Sequence, residues 1–276
     1  MKELKPATLR LEELQQNDLV RSIARIPTPL TRLLKTNDLF LGGGFIRSIV
    51  TGEKISDYDV FGSSKNQLES MAALLVKEQN GTLHKSKNSL TVRFGFTPPV
   101  QFITRWMYND AQTLLDGFDF TVCQAVLWFD KPTQKWRSLA SPRFYPDLAA
   151  KRLVYTSPCR DEAPGGSFLR VRKFLSRGYN IQVLSLAGVL ARIFLAVRDK
   201  SGVETETVIA GILREVDPLV VCDDLTPEDL QELQDFDRTS EGIPSFICQP
   251  KLDGERCRAL VTSEGNVVEL DEDFED

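Results

Sequence analysis

The alternation of hydrophobic and polar residues predicts helices and strands in mixed order. Apolar residues at helical spacing predict a helix over residues 9–25, which Pro27 would stop, and another over residues 65–79. Two runs rich in β-forming residues, 90–96 and 100–106, predict a hairpin-like pair of strands. The pattern therefore predicts a sheet that is covered by helices.

A glycine-rich turn interrupts this pattern. Phe40 and Leu41 form an apolar pair, and three glycines follow at residues 42–44, so a strand is predicted to run into a turn. Without side chains, the backbone N–H groups of such a turn can approach a phosphate. A helix is predicted next, with Arg47 near its start and Gly52 at its end.

Two aspartates come directly after this helix. Asp57 and Asp59 alternate with Tyr58 and Val60, which is the two-residue period of a strand, so both carboxylates should lie on one face. Two like charges this close repel each other unless a cation neutralises them, and hard oxygen ligands favour Mg²⁺. The pair could also be two surface acids at a turn, but the glycine turn nearby favours a site for phosphoryl or nucleotidyl transfer.

Composition limits the classes of protein that remain. The chain has 276 residues and is 42% hydrophobic, which is enough for a sizeable core and two domains. Its five cysteines are odd in number and show no C-x-x-C spacing, so neither a disulfide framework nor a zinc site is indicated. His84 is the only histidine, which excludes a site built on a histidine pair. We expect a cytoplasmic protein without a secretion signal or a membrane span.

Charge is strongly segregated along the chain. Residues 131–198 hold 13 Lys/Arg against 3 Asp/Glu, whereas residues 199–276 hold 6 against 22. A basic block beside a nucleotide site is typical of a polyanion-binding face, although a solvated helix surface could look the same. We predict that this face binds RNA through Lys151, Arg152, Arg172, Lys173 and Arg177.

The central segment resembles a known signature. Gly43 to Ser48, then Gly52, then Asp57 to Asp59 is similar to the G-G-x-V-R-D, G, D-x-D pattern of polymerase β-like nucleotidyltransferases, in the form found in CCA-adding enzymes and bacterial poly(A) polymerases. The resemblance implies an α+β fold, with a polymerase β-like nucleotidyltransferase head (a mixed sheet with helices) followed by an α-helical neck. It also implies site roles: Gly43, Gly44 and Arg47 hold the triphosphate of an NTP, and Asp57 and Asp59 are catalytic and bind two Mg²⁺ ions.

Two later segments extend the resemblance as far as Arg198. Asp119, Phe120 and Thr121 match part of the family's R-R-D-F-T-I-N-A-L-A-Y-D stretch, which implies that Asp119 binds the nucleotide. Asp119 could instead be an acid at a helix N-terminus. The segment from Ser167 to Phe174 resembles the family's Leu-Arg helix of the neck and keeps Arg170, which implies a second nucleotide contact.

Several positions depart from the family pattern. Ser48 stands where the family has an aspartate, and Gln101 stands where the second strand of the predicted pair usually carries an acid. Either two aspartates suffice, or another acid completes the site, or the activity is weakened. Gly117, Phe118 and Cys123 replace two arginines and an asparagine, and Gly166 and Ser167 replace the acids that read the incoming base in CCA-adding enzymes. CCA specificity is therefore not expected.

The C-terminal segment resembles a different family. Residues 246–261 are similar to motif I of ATP-dependent polynucleotide ligases, K-x-D-G-x-R, in which Lys251 would be the nucleophile. Only 25 residues follow Lys251. The match is expected to be part of a longer bifunctional protein, a remnant, or an accidental likeness in a β-hairpin with an Asp-Gly turn.

Taken together, the sequence predicts a head at residues 1–130, an α-helical, RNA-binding neck at 131–240, and a β-rich, ligase-motif-like extension at 241–276. The predicted function is template-independent transfer of nucleotides from NTP to an RNA 3′ end, such as that of tRNA. Two alternatives stay open. One is transfer to a protein or small molecule, and the other is a non-catalytic RNA-binding module that kept the fold.

Overall fold

A computed structural model describes residues 12–158, 164–198, 208–209 and 212, and three short strands at 245–246, 259–261 and 267–269. The chain divides into two compact units, residues 1–221 and 222–276. Within the described ranges, no helix is both long and apolar enough to span a membrane.

The first unit is built on a seven-stranded mixed sheet with the order β3-β4-β5-β2-β1-β6-β7. Its strands are β1 Phe40–Gly42, β2 Tyr58–Phe61, β3 Thr82–Lys85, β4 Ser89–Arg93, β5 Val100–Ile103, β6 Ala125–Asp130 and β7 Lys135–Ala140. β2 and β5 run parallel, while the other neighbours in this sheet are antiparallel. Two further strands, β8 Arg152–Leu153 and β9 Asn180–Ile181, form a separate parallel pair. The predicted α+β class, with a mixed sheet and helices, is confirmed. The sheet continues through β7, past the predicted head boundary at residue 130.

Between residues 12 and 198, the described part of the chain forms eight α-helices that surround or follow this sheet. They are α1 Gln16–Arg25, α2 Thr28–Thr36, α3 Gly44–Thr51, α4 Lys65–Gln79, α5 Ala111–Asp116, α6 Phe144–Ala149, α7 Pro164–Ser176 and α8 Val183–Arg198. The predicted helix over residues 65–79 is confirmed with both its ends. Ser64 accepts a hydrogen bond from the backbone N–H of Gln67 at 3.2 Å, and Asn80 ends the helix in the left-handed conformation at φ 47°.

Strand register separates an apolar face of the sheet from a polar one. Leu41 pairs with Val60, and Val60 with Phe102, and all three side chains are fully buried in the core. Because successive side chains point to opposite faces, Asp59 and Gln101 must lie on the other face. The sheet thus buries hydrophobic side chains on one face and carries the side chains of Asp59 and Gln101 on the other.

The neck helix α7 is attached to the head through a buried aspartate. Asp119 is 2% exposed and accepts hydrogen bonds from the side chains of Ser167 and Arg170, the first at 2.9 Å. Aromatic rings complete the contact, since Phe120 packs against Phe174 with ring centroids 5.9 Å apart. Head and α7 therefore share one buried, hydrogen-bonded junction.

A second buried aspartate joins α6 to the chain on either side of it. Asp147 is fully buried and accepts hydrogen bonds from Thr121 at 2.6 Å, Arg143 at 3.1 Å and Arg152 at 2.6 Å. Burial alone would raise the pKa of Asp147, but these hydrogen bonds outweigh burial and lower it. Asp147 is charged in the folded protein and stabilises it.

The second unit contains a three-stranded antiparallel sheet. Its strands are β10 Ser245–Phe246, β11 Ala259–Val261 and β12 Val267–Glu269, in that order. Lys251, the predicted nucleophile of the ligase-like motif, lies outside the described residues, so its role stays a prediction.

Replacing the buried Asp147 should destabilise the head. We expect Asp147→Asn to lower the free energy of unfolding by about 3 kcal/mol, the lower end of the cost of breaking a buried ion pair, because both arginines are partly exposed. Because the pKa of Asp147 is lowered in the folded state, the deficit should be present at pH 7 and shrink as pH falls below about 4. Urea unfolding of the variant and the wild type at each pH measures this difference in the free energy of unfolding. Asp116→Asn, at an exposed carboxylate, is the control and should change stability by less than about 0.5 kcal/mol.

Candidate active site at the glycine turn

The turn between β1 and α3 has a conformation that only glycine adopts readily. Gly43 has φ 74° and ψ −132°, and a Cβ added there would lie 3.2 Å from the Phe118 ring. Its backbone N–H donates to the carbonyl oxygen of Ala125 at 3.1 Å. The turn is therefore fixed against β6, and the N–H of Gly43 is engaged within the protein.

The two aspartates lie beside this turn. Asp59 pairs in register with Gly42, and its Oδ2 is 3.6 Å from the position that a Cβ would take at Gly43. Asp57 precedes β2 by one residue, and its Oδ1 accepts a hydrogen bond from Ser56 at 2.9 Å. The predicted proximity of an acidic strand to the glycine turn is present in the structure.

Electrostatics set Asp59 apart from an ordinary surface acid. Burial and, after it, the charge of Asp57 raise the pKa of Asp59 well above its usual value. Among the described residues, neither carboxylate has a salt-bridge partner within 4 Å. The pair is a concentration of negative charge that a cation would relieve.

The residue opposite Asp59 on β5 is an amide, not a third acid. Gln101 pairs with Asp59 across the parallel β2–β5 ladder and is 8% exposed, so its predicted position next to the aspartates is confirmed. In the part of the chain that the structure describes, no group of three or more His, Cys, Asp or Glu residues could hold a metal ion. Another acid therefore does not complete the site within that part.

The donor set fits one Mg²⁺ ion. This ion is commonly held by one or two carboxylates together with substrate phosphates, and it keeps several waters. Asp57 and Asp59 supply two carboxylates, and Gln101 can supply an amide oxygen. A pair of ions, as expected from the resemblance, stays a prediction.

Arg47 points away from the solvent. Its side chain is buried, with Nε 3.4 Å from Glu53, one NH group 3.8 Å from the sulfur of Cys123, and the guanidinium 5.0 Å from the centre of the Phe174 ring. Burial raises the pKa of the Cys123 thiol, so this acceptor is neutral. Arg47 thus connects α3 to the neck helix. Its predicted contact with a triphosphate stays a prediction.

Asp119 and Arg170, which are both predicted to contact the nucleotide, form an ion pair with each other. Asp119 does not cap a helix, because the short 3₁₀ helix that follows has Phe120 at its N-cap without a side-chain hydrogen bond. The pair holds α7 against the head, and whether it also contacts a nucleotide stays a prediction.

The five predicted RNA-binding residues do not form one uniform surface. Arg152 is bonded to the buried Asp147, and Arg177 lies 3.9 Å from Glu53. Lys151 is exposed and donates to the backbone carbonyl of Arg177 at 3.4 Å. Arg172 is exposed and Lys173 is half-buried on α7. Their predicted role in binding RNA stays a prediction.

Two residues of the cluster around Arg47 were not predicted from the sequence. Glu53 lies between Arg47 and Arg177. Tyr179 is 2% exposed, and burial raises its pKa to about 12, so its hydroxyl stays protonated. Glu53 directly follows the glycine that ends α3, which was the only available signal, and nothing in the sequence marks Tyr179 as part of this cluster.

A family model fits the head of this chain. The model described as the Gabija anti-defense 2 family protein matches residues 10–151, slightly more than half of the chain. The chain belongs to the Gabija anti-defense 2 family. The match spans the glycine turn, both aspartates, Gln101, Asp119 and Asp147, so the whole candidate site of the head lies in the part that defines this family.

One curated relative carries the same description. It is the Gabija anti-defense 2 protein of Bacillus phage SPbetaL7, 28% identical over 153 residues. The match covers 55% of this chain and 36% of the relative, so the matched region is a little over a third of the relative's length.

Solved structures with a similar arrangement include CCA-adding enzymes. The Thermotoga maritima CCA-adding enzyme complexed with tRNA is 18% identical, with a TM-score of 0.48 over 82% of this chain and 54% of that enzyme. A CCA-adding enzyme with CTP is 17% identical, with a TM-score of 0.48 over 83% of this chain and 55% of that one. A tRNA-processing enzyme with CTP is 15% identical, with a TM-score of 0.43 over 72% and 59%. All three scores are below 0.5, so function has to be argued from the residues of this chain.

Alanine at Gly43 should strain the turn. We expect Gly43→Ala to lower the free energy of unfolding by about 3 kcal/mol, because its backbone conformation is nearly restricted to glycine and Phe118 is close. Gly52→Ala is the matched control. Gly52 also has positive φ but nothing within 4 Å, so the expected cost is only about 1 kcal/mol. Equal costs in chemical denaturation would contradict the special role of the Gly43 turn.

Removing the charge of Asp59 should stabilise the metal-free protein. The pKa of Asp59 is raised on folding, so its unfavourable contribution is absent below the ordinary pKa of about 4 and develops as pH rises through the folded value. Asp59→Asn should therefore melt at a higher temperature than the wild type at pH 7 in EDTA, and the difference should disappear near pH 3.5. A lower melting temperature at pH 7 would show that the carboxylate is favourably paired.

Proposed function

We propose that this chain is a nucleotidyltransferase that takes a nucleotide from an NTP and transfers it to an acceptor hydroxyl, and that this transfer acts against Gabija defence. The observation that carries the proposal is the position of Asp59, half-buried beside the Gly43 turn and next to a second carboxylate without a salt bridge among the described residues. Holding this arrangement costs electrostatic energy, so a structural role alone does not account for it.

In this proposal, Asp57 and Asp59 hold Mg²⁺ together with the phosphates of the NTP. A bound Mg²⁺ supplies neutralisation of the charge that develops on the transferred phosphoryl group and its pyrophosphate leaving group. The residues of the chain position the substrate. The glycine turn leaves space beside Asp59 that a side chain at residue 43 would fill, and Gln101 presents a neutral amide to the same face. The uncharged amide lowers the negative charge next to the phosphates by one unit relative to a third carboxylate.

An RNA 3′ end, such as that of tRNA, is the first candidate acceptor. The excess of ten positive charges over residues 131–198 supports it, since a phosphate backbone needs basic partners. The ion pairs of Arg152 and Arg177 reduce that support, because their charges are partly neutralised within the protein.

A component of the Gabija defence system is the second candidate acceptor. The family description favours it, because a protein that acts against Gabija could modify a Gabija component directly. Transfer to a small molecule is a third outcome that the same experiment detects. A non-catalytic binding module is the remaining alternative, to which the replacements at Gln101, Gly117, Cys123 and Gly166 would point.

The test is to incubate the protein with each of the four α-labelled NTPs and Mg²⁺, in separate reactions with a tRNA pool and with purified Gabija proteins. Label should move to RNA or to a Gabija protein, and the identity of the labelled product decides between these acceptors. Label in a small molecule would replace both candidate acceptors. Absence of any transfer would favour the non-catalytic module.

Single replacement of either aspartate should abolish the transfer that this experiment detects. We expect Asp57→Asn and Asp59→Asn each to reduce the rate at least about a hundredfold, since each loses a carboxylate that would bind the metal. The folded state should be retained, as measured by circular dichroism. Asp116→Asn, at an exposed position of α5, is the matched control and should transfer at the wild-type rate. Near-normal rates in both aspartate variants would remove the catalytic assignment.

A further inference from the structure

The two carboxylates of the candidate site are held in different ways. Asp59 lies inside the sheet, where its strand is paired on both sides, with Gly42 on β1 and Gln101 on β5. Asp57 lies one residue before β2, so the pairing with β5 begins after it, at Tyr58. The sheet therefore fixes the backbone of Asp59 from both sides, whereas Asp57 lies outside the paired strand.

The residue between the two aspartates is firmly anchored. Tyr58 donates from its backbone N–H to the carbonyl oxygen of Pro99 at 2.9 Å, and from its hydroxyl to that of Arg25 at 2.7 Å. Its ring packs against Phe45 with centroids 4.9 Å apart. These contacts fix the chain directly after Asp57, but none of them involves the Asp57 side chain.

A neighbouring hydroxyl orients that side chain. Ser56 is partly buried and donates a hydrogen bond to Oδ1 of Asp57 at 2.9 Å. Among the residues that the structure describes, this is the only hydrogen bond that either carboxylate accepts. A carboxylate has about four lone-pair sites on its two oxygens, so Asp57 keeps the capacity to bind a cation while this bond is made.

A neutral donor suits this position. A lysine or arginine beside Asp57 would form an ion pair and repel a metal ion, whereas the hydroxyl of Ser56 orients the carboxylate without adding charge. Orientation matters because Mg²⁺ requires nearly ideal octahedral geometry at short distances. In metal sites, the groups that hydrogen-bond to ligating side chains typically contribute about tenfold to a hundredfold to metal affinity.

We propose that Ser56 is a positioning residue for the metal site, and that its hydroxyl holds the Asp57 carboxylate in the orientation that binds Mg²⁺ beside Asp59. This inference rests on the proposed nucleotidyl transfer and deepens it, because it names the residue that sets the metal requirement. Ser56 acts through Asp57, so its loss should raise the Mg²⁺ concentration that transfer needs and leave the rate at saturating Mg²⁺ nearly unchanged.

The first test is metal binding without catalysis. Mn²⁺ binds the same oxygen ligands as Mg²⁺, and electron paramagnetic resonance counts the ions left free in solution. We expect Ser56→Ala and Ser56→Val each to weaken Mn²⁺ binding about tenfold or more. Ser56→Thr has the shape of the valine variant but keeps the hydroxyl, so its affinity should stay within about threefold of the wild type.

The matched control removes a serine hydroxyl just beyond the other end of β2. Ser63 is exposed and donates to the side chain of Gln67 at 3.3 Å. Since it is not bonded to either aspartate, Ser63→Ala should leave Mn²⁺ affinity within about twofold of the wild type. Circular dichroism and the melting temperature in EDTA show that each variant is folded.

The second test is the rate of nucleotidyl transfer as a function of Mg²⁺. For the alanine and valine variants of Ser56, we expect half-maximal rate at about tenfold higher Mg²⁺, and a rate at saturating Mg²⁺ within about threefold of the wild type. A purely structural role would instead lower the melting temperature in EDTA and leave the half-saturating Mg²⁺ concentration unchanged.

The possible failures are distinguishable. If the alanine and valine variants bind Mn²⁺ as tightly as the wild type, or if the threonine variant loses as much affinity as the valine variant, the role of Ser56 is wrong while the proposed function stands. If Mn²⁺ binding depends on the hydroxyl but no label is transferred to any acceptor, the positioning role stands and the proposed function fails. A wild type that binds no Mn²⁺, with or without NTP, would overturn the inference whatever the transfer assay shows.

Discussion

The candidate site depends on one backbone conformation. Gly43, at φ 74° and ψ −132°, allows the chain to leave β1, bond back to Ala125 and begin α3 immediately at Gly44. A side chain at this position would meet the Phe118 ring and fill the space beside Asp59. The same constraint therefore places the acidic strand next to an open turn and directs α3, with Arg47 in its first turn, towards the neck.

The electrostatics of the head and neck follow from this arrangement. Asp57 lies one residue before β2 and Asp59 lies within it, and burial together with the charge of Asp57 makes Asp59 costly to charge. The cations that offset this cost come from α7 and α3, and α7 is held by the buried bonds of Asp119. The neck thus contributes to the electrostatics of the acidic pair, because the charges of Lys173 and Arg170 on α7 act against the effects of burial and of Asp57 on the pKa of Asp59.

Local sequence patterns predicted the elements whose structure depends on interactions between residues close together in the sequence. The strand–turn–helix at the glycines and the capped helix over residues 65–79 were predictable, since turn residues and caps act over a few residues. The position of Gln101 next to Asp59, which joins distant segments of the chain, came instead from the family resemblance. The helix predicted from residue 9 was wrong at residues 12–15, because Glu12 instead pairs with Ala140 at the sheet edge. The edge strand β3 has largely exposed residues and no hydrophobic alternation, so its pairing with β4 left no clear pattern in the sequence.

Partners of the charged residues were less predictable than their positions, for a physical reason. The motif places Arg47 on the first turn of α3, but whether its guanidinium meets a phosphate or a half-buried glutamate depends on Glu53, Cys123 and Phe174, which are brought together only by folding. The same holds for Arg152, which forms an ion pair with the fully buried Asp147. The count of basic residues over 131–198 includes Arg152 as available for a polyanion, although Arg152 has a carboxylate partner within the protein. The cations that act on Asp59 from α7 are Lys173 and Arg170, and they lie on or beside the helix face that the hydrogen bonds to Asp119 turn towards the head.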